Sequence, residues 1–394
     1  MKNLTKITIL SQSYPSGKGE VFLENELKVL VGIAHPIQLY NAYADGGETR
    51  VLPTGVKSQL LSGRSGKMMR LKTLMNKVYR TEIKKHGIGF RNVQWLGYFA
   101  EALHRKRFLE KNGLDDQTIY YSFWTDEWAL ALALLKKEGK INRFYSRVHG
   151  YDLFEERSPG GKIPFRDFVL QQVDRVYCVS DAGRQYLNQK YAAYQHKFFL
   201  FSLGVFDHGM GKTPETEIPL VVSCSNVIPL KRVHLIAEML GKFNLPLRWV
   251  HFGAGKDLEK VRELVKGFEH VQAEFPGHVS NADLISFYQN NAVHAFVHMS
   301  ETEGGIPVSI QEAVSFGIPI IAANAGGVPE IVNAQTGVLL SHAFDAQAAV
   351  NALSMIIETM SCDARKRESI RNVWKLHFDA QKKYTDFAEH LIHE

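Results

Sequence analysis

The chain has 394 residues, of which 45% are hydrophobic and 22% charged, with a formal net charge of +6 at pH 7. That length exceeds one ordinary core and predicts two domains, while the composition excludes a disordered chain and no window holds the ~18 uninterrupted apolar residues of a spanning helix. Three widely spaced cysteines, Cys178, Cys224 and Cys362, argue against a disulfide framework or a thiolate metal site.

The start, MKNLTKITILSQSYPS, reads as a first strand rather than a leader, so the expected location is the cytoplasm. From there, short apolar runs bounded by turn residues alternate with segments of helical period, the pattern of a parallel α/β sheet. In the first half the strands are ITILSQS, IQLYNAY, TIYYSFW, RFYSRVH, RVYCVS and KFFLFSLG; in the second they are LVVSCSN, LRWVHFG, VQAEFPG, VHAFVHMS, IPIIAAN and GVLL. Helices fill the gaps. Each half is long enough for a Rossmann-like sheet. The stretch GVFDHGMGKTPETEIP between them is the expected linker, giving domains at 1–204 and 219–374, a linker at 205–218 and a terminal helix at about 375–394.

Charge divides along the same line. Residues 1–204 hold 31 Lys+Arg against 19 Asp+Glu, a balance of +12, and residues 205–394 hold 16 against 22, a balance of −6. Within the first half, residues 57–107 carry 13 basic side chains and two glutamates. Such a run is either a solvated helix face or a patch that docks on anionic lipid or an anionic acceptor. No nucleic-acid motif accompanies it, and nucleic acid is not expected as a partner.

Open parallel sheets bind ligands beyond the carboxyl ends of their strands, so two facing sheets would line a cleft with the loops that follow each strand. After VHAFVHMS comes ETEGGIPVSIQEA: Gly304 and Gly305 permit close approach of a ligand, Pro307 stands ahead of a helix, and the helix N-terminus suits a phosphate. Glu303 and Glu312 could accept hydrogen bonds from sugar hydroxyls. Taken alone, this is also consistent with a βα turn bearing exposed acids. Three further strand ends add to it. Lys231 and Arg232 follow the first strand of the second half, Gly253 lies in HFGAG, and AGGVPEIV brings a second glycine pair with Glu330.

Together these residues resemble the retaining nucleotide-sugar glycosyltransferases of family 4, particularly the bacterial branch that builds surface polysaccharides. The segment EGGIPVSIQEAVSFGIPIIAANAGGVPEIV carries their paired-glutamate hallmark, SRVHGYD resembles their active-site histidine loop, and the final VWKLHFDAQKKYTDFAEHL resembles their terminal helix that crosses back to the first domain. The resemblance implies the GT-B fold, an α/β architecture of two Rossmann-like domains facing a central cleft. It implies that Glu303 lies near the donor sugar, Glu312 holds the ribose, Lys231 holds the phosphates, and the Gly304, Gly305, Ile306, Pro307 and Val308 backbone supports the diphosphate. Asn226 and Gly253 fall in donor-binding loops, and Gly17 or Gly19 would close over the donor. His149 would line the acceptor side near the anomeric carbon, with Trp124 and Asp152 beside it; Asp152 reads as an Asx cap on the HGYD turn. Tyr121, Phe123 and Trp124 form either an acceptor platform or core.

Two departures stand out. Glu303 and Glu312 are separated by eight residues instead of the family's seven, so a bulge at Gly304–Gly305 is expected, and Asn226 stands where the family often has arginine, with Arg232 as the expected substitute. The activity implied is transfer of a sugar from a nucleotide-sugar, UDP favoured, to a glycan or lipid-linked acceptor of capsule, O-antigen or exopolysaccharide synthesis. No metal or other cofactor is expected, because Lys231, Arg232 and helix N-termini can bear the diphosphate charge. The chain would act in the cytoplasm or peripherally at the inner membrane face. A non-catalytic GT-B partner in a polysaccharide assembly complex and a nucleotide-sugar 2-epimerase remain as alternatives.

Overall fold

The computed structural model describes residues 6–17, 19–34, 36–44, 46, 50–215 and 218–393. The first five residues of the expected opening strand segment, and two residues of the expected linker, lie outside these. The chain separates into two compact units, Met1–Phe201 with Tyr384–Glu394, and Ser202–Lys383.

In the first unit the order is β1 (Ile7–Ser11), α1 (Val21–Leu30), β2 (Ile37–Asn41), β3 (Val56–Leu60), α2 (Lys67–Met75), α3 (Lys77–Lys85), α4 (Val93–Lys111), β4 (Ile119–Ser122), α5 (Glu127–Lys137), β5 (Phe144–Val148), α6 (Arg166–Gln172), β6 (Arg175–Cys178), α7 (Asp181–Lys190) and β7 (Phe198–Leu200). These seven strands form one parallel sheet ordered β3-β2-β1-β4-β5-β6-β7. The central strands β1, β4 and β5 are buried throughout, as expected of a sheet covered on both faces. One face packs Trp95, Phe99, Trp128 and Phe165, and the other packs Leu23, Leu27 and Tyr121 with Phe387 and Leu391.

Edge strand β3 has no counterpart among the strands expected from the sequence. Its burial pattern runs from half-buried to exposed, so VKSQL shows no apolar period, and only its pairing with β2 makes it a strand. The basic segment 57–107 is therefore not a single helical face; it contains β3 and the three helices α2, α3 and α4.

The second unit runs β8 (Leu220–Cys224), α8 (Val233–Gly241), β9 (Leu247–Phe252), α9 (Leu258–Val265), β10 (Val271–Gly277), α10 (Asn281–Asn290), β11 (Ala295–His298), α11 (Val308–Ser315), β12 (Ile320–Ala323), β13 (Gly337–Leu340), α12 (Ala346–Ile356), α13 (Ala364–His377) and α14 (Ala380–His393), the last continuing into the first unit. Its six parallel strands are ordered β10-β9-β8-β11-β12-β13. Residues following β7 belong to this unit. Val205 donates to Phe378 O at 3.0 Å, accepts from Ala380 N at 3.0 Å, and Gly211 N reaches Phe316 O at 3.0 Å.

Both sheets reverse their strand order beside their first strand, between β1 and β4 and between β8 and β11. Ligands of open parallel sheets bind at that reversal, because the loops leaving its two strands diverge to opposite faces and open a crevice. Two Rossmann-like units of this kind constitute the GT-B fold. No described helix is long and apolar enough to cross a membrane.

Candidate functional site

In the second unit the two strands flanking the reversal carry the charged residues. β8 leads through Ser225 and Asn226 into a short turn, Pro229–Lys231, and then α8. β11 ends at His298, followed by the Glu303 loop and α11. The Lys231 ammonium donates to Glu303 Oε1 at 2.5 Å, and His298 Nε2 meets the same oxygen at 2.8 Å. Burial alone would push the Glu303 carboxyl up, but His298 and Lys231 outweigh it and hold it at about 2. Glu303 is thus a carboxylate at any physiological pH.

Glu312, on α11, has the opposite electrostatics. Its side chain is buried and its Oε1 accepts from Asn281 Nδ2 at 2.6 Å; burial pushes its pKa up to about 7, with Asn281 opposing. It sits poised between its protonated and charged forms. The two glutamates are therefore unlike: one is a fixed charge beside a lysine, the other a buried carboxyl that titrates near neutrality.

Arg232 adopts the left-handed backbone conformation at φ 47°, and its guanidinium donates to Met299 O at 2.7 Å and Ser300 O at 3.0 Å. It thereby fixes the strand end from which the Glu303 loop departs. Asn226 is exposed in the β8 loop.

The glycine pairs divide their labour. Gly304 and Gly305 are bends and are not among the positive-φ glycines. The second pair is where close approach is compulsory. Gly326 has φ 53° and a Cβ there would lie 2.1 Å from Glu303 O, while one at Gly327 would lie 2.7 Å from the Gly305 carbonyl carbon. The β12 loop therefore presses against the backbone of the Glu303 loop and sets its path. Gln311 Nε2 supports it from α11 by donating to Ile306 O at 3.1 Å. Gly253 acts likewise, since a Cβ there would lie 1.8 Å from Ser225 O. Pro307 occupies the residue before α11, and the first N–H groups of that helix, at Val308 and Ser309, have no acceptor within the helix.

The first unit builds a second cluster from the ends of β1, β4 and β5. His149 follows β5, and Asp152 organises the turn: Oδ1 accepts from His149 N at 2.8 Å and Gly150 N at 3.1 Å, and Oδ2 from Thr125 N at 2.9 Å. The His149 ring is buried, with neither ring nitrogen hydrogen-bonded; burial first, then Arg147, pushes its pKa well down, so it is a neutral imidazole. It packs on Trp124 at 4.2 Å, Phe123 at 4.9 Å and Phe22 at 5.2 Å between ring centroids. Of the aromatic trio, Tyr121 and Phe123 are core, and Trp124 is half-buried beside the histidine.

Glu20, which the sequence did not single out, ties this cluster to the glycine loop after β1. Its carboxylate accepts from Trp124 Nε1 at 2.6 Å and from the N–H groups of Gln12, Ser13 and Tyr14 at 3.0, 2.7 and 2.7 Å. Arg50 then holds the carbonyls of Gly17 and Gly19 at 2.9 and 2.5 Å. Asn281 reaches Glu312 across 31 residues and Glu20 reaches Trp124 across 104, whereas His298 and Glu303 are only five residues apart. Only the position of His298 at a strand end gave a signal. Among the described residues no cluster of three His, Cys, Asp or Glu side chains could hold a metal ion.

Two parallel Rossmann-like units, each with a strand-order reversal beside its first strand, define a GT-B architecture. Residues 210–372 match the family described as Glycosyl transferases group 1. The chain is similar to WcaL of Escherichia coli (strain K12), a protein provisionally named a colanic acid biosynthesis glycosyltransferase, at 24% identity over 229 residues covering 55% of each chain. The match thus spans about half the length of that relative. Among solved structures, the lipopolysaccharide outer core galactosyltransferase WaaB in its apo form superposes with a TM-score of 0.69 at 15% identity, covering 98% of this chain and 99% of that one. Anabaena HepE in complex with UDP and glucose superposes with a TM-score of 0.68 at 17% identity, covering 99% and 100%. These two likenesses establish the fold.

Proposed function

We propose that this protein is a retaining, metal-independent glycosyltransferase that moves a sugar from a nucleotide-sugar, with UDP as the favoured nucleotide, to a glycan acceptor. The carrying observation is the convergence of Lys231, Glu303 and Glu312 at the β8–β11 reversal, within the segment that matches the family. A sugar nucleotide reacts when negative charge building on the departing diphosphate is stabilised, which Lys231 and the α11 N-terminus would supply. Glu312, once charged, accepts the ribose hydroxyls. Glu303 holds a sugar hydroxyl while neutralised by Lys231. The structure of HepE with UDP and glucose supports the choice of nucleotide.

The acceptor we favour is a lipid-linked intermediate of bacterial capsule, O-antigen or exopolysaccharide synthesis, consistent with the likeness to WcaL. Helix α2 supports a peripheral membrane encounter. Met68, Leu71 and Met75 lie 66%, 59% and 71% exposed on one helical stripe, while Met69 and Thr73 face inward. Lys67, Arg70 and Lys72 flank the stripe, and each basic side chain near an anionic surface adds about 1 kcal/mol.

A screen of nucleotide release across UDP-, GDP- and ADP-sugars tests the activity. Release from one donor class, lost in Lys231→Ala and Glu312→Gln, is expected; no release from any donor with a suitable acceptor present would sink the reading. Co-sedimentation tests the encounter: vesicles with anionic lipid should retain the protein and neutral ones should not.

A further inference from the structure

A second crevice opens in the first unit beyond the ends of β1, β2 and β3. It measures about 660 Å³ and is lined by Gln12, Ser13, Tyr43, Leu60 and Arg64 among others. Its walls are fixed by backbone bonds from strand end to strand end: Tyr43 N to Gln12 O at 2.8 Å and Leu61 N to Asn41 O at 2.8 Å. The loop bearing Arg64 is anchored on α4, where Ser65 N donates to Glu101 Oε2 at 3.0 Å and His104 Nε2 meets Ser62 O at 3.2 Å.

The polar side chains of this crevice are organised from behind by a buried guanidinium. Arg105 is 0% exposed, and its Nη2 donates to Gln12 Oε1 at 3.3 Å and to Tyr43 OH at 3.2 Å. Two other nitrogens of the same group, Nε and Nη1, lack hydrogen-bond acceptors, although Asp126 and Glu127 stand at 3.6 and 3.4 Å as ion partners. Arg64 lies over the Tyr43 ring at 5.4 Å and Arg105 at 5.7 Å, so the tyrosine sits between two guanidinium groups. Among the described residues no carboxylate pairs with Arg64 and no acidic side chain lines the crevice. Gln12 and Ser13 also join it to the Glu20–Trp124–His149 cluster, because Glu20 holds both their N–H groups.

We propose that this crevice binds an anionic group of the acceptor, a phosphate or a sugar carboxylate, with Arg64 as its charge partner and the Tyr43 hydroxyl, which accepts from Arg105 and keeps its own proton, as a neutral donor. The chemistry is that of a planar guanidinium fork, which recognises either oxyanion in two-point fashion. A neutral sugar would leave that fork unused. That the anion belongs to an acceptor rests on the glycosyltransferase reading, while the anion site itself does not.

The test is calorimetric titration of the full chain with inorganic pyrophosphate, methyl glucuronide and neutral methyl glucoside, with UDP titrated separately. At least one anion should bind, with Arg64→Gln weakening it about tenfold or more, as loss of a charge-assisted hydrogen bond requires, and Arg64→Lys restoring part. Pyrophosphate binding identifies a phosphate-linked acceptor and glucuronide binding an acidic sugar. Anion binding unchanged in Arg64→Gln, or lost only in Lys231→Ala, would assign the anion to the second unit and overturn the proposal, as would equal binding of the glucoside. UDP binding separates the two ideas. UDP bound without Arg64-dependent anion binding removes this inference alone, whereas Arg64-dependent anion binding with no binding of UDP, GDP or ADP, each titrated separately, removes the glycosyltransferase reading.

Discussion

His298 Nε2 and Glu303 Oε1 are 2.8 Å apart, and the histidine stands on the last residue of β11 while the glutamate stands in the loop beyond it. Because Lys231 meets the same oxygen, the carboxylate is held from the strand end and from the β8 loop at once. The chain has one more residue between its two glutamates than the family hallmark, and this two-sided grip fixes Glu303 in spite of the altered register.

Replacing His298 by alanine removes the strand-end contact to Glu303 and leaves the Lys231 contact in place. Turnover should fall about ten- to a hundredfold through kcat, with His298→Asn or His298→Gln recovering part of it. Steady-state kinetics and a melting curve on the same samples distinguish this from unfolding. Lys231→Ala is harsher, because it removes the charged partner of a carboxylate that is only 13% exposed and leaves the His298 contact, and should cost about 1.5 to 3 kcal/mol in urea unfolding.

Glu312 predicts a pH dependence. Its folded pKa, raised by burial to about 7, exceeds the ordinary carboxyl value of 4.5, so the stability it contributes is present below pH 4.5 and is lost as pH rises through 7. Nucleotide binding needs the charged form and should run the other way, tightening between pH 6 and about pH 8 with proton release. Glu312→Gln should flatten both profiles; calorimetry in buffers of different ionisation enthalpy measures the proton.

Gly326→Ala places a methyl group 2.1 Å from Glu303 O at a φ of 53°, and neither backbone can yield without moving the Glu303 loop. Nucleotide affinity should fall by at least about tenfold even where the melting temperature drops by only a few degrees, consistent with local strain of about 1 to 3 kcal/mol. An equal substitution at exposed Gly113, where a Cβ meets nothing within 4 Å but φ is 84°, controls for backbone strain alone.

Asp152 accepts three backbone N–H bonds around the His149 turn. Asp152→Ala should therefore destabilise the first unit by roughly 2 to 4 kcal/mol and impair turnover, and Asp152→Asn, which retains one acceptor oxygen, should fall between. Hydrogen exchange at Thr125, His149 and Gly150 reads the loss locally.

Apolar runs of strand length, each followed by a helical period, specified twelve of these strands, most firmly the central ones, whose burial on both faces leaves little freedom in residue type. Edge strand β3 escaped, since its side chains face solvent and its only commitment is a row of backbone bonds to β2. The charged residues were legible for the same reason as the strands: Lys231, Glu303 and Glu312 sit at fixed places after strand ends. Their different charge states come from the folded surroundings. Burial beside Asn281 makes Glu312 titrate near neutrality, whereas Lys231 and His298 keep Glu303 ionised, and Arg232 spends its guanidinium on two carbonyls. Sequence spacing sets which loops a residue can reach, but charge state depends on neighbours brought from 31 and 72 residues away, and those distances close only when the sheet forms.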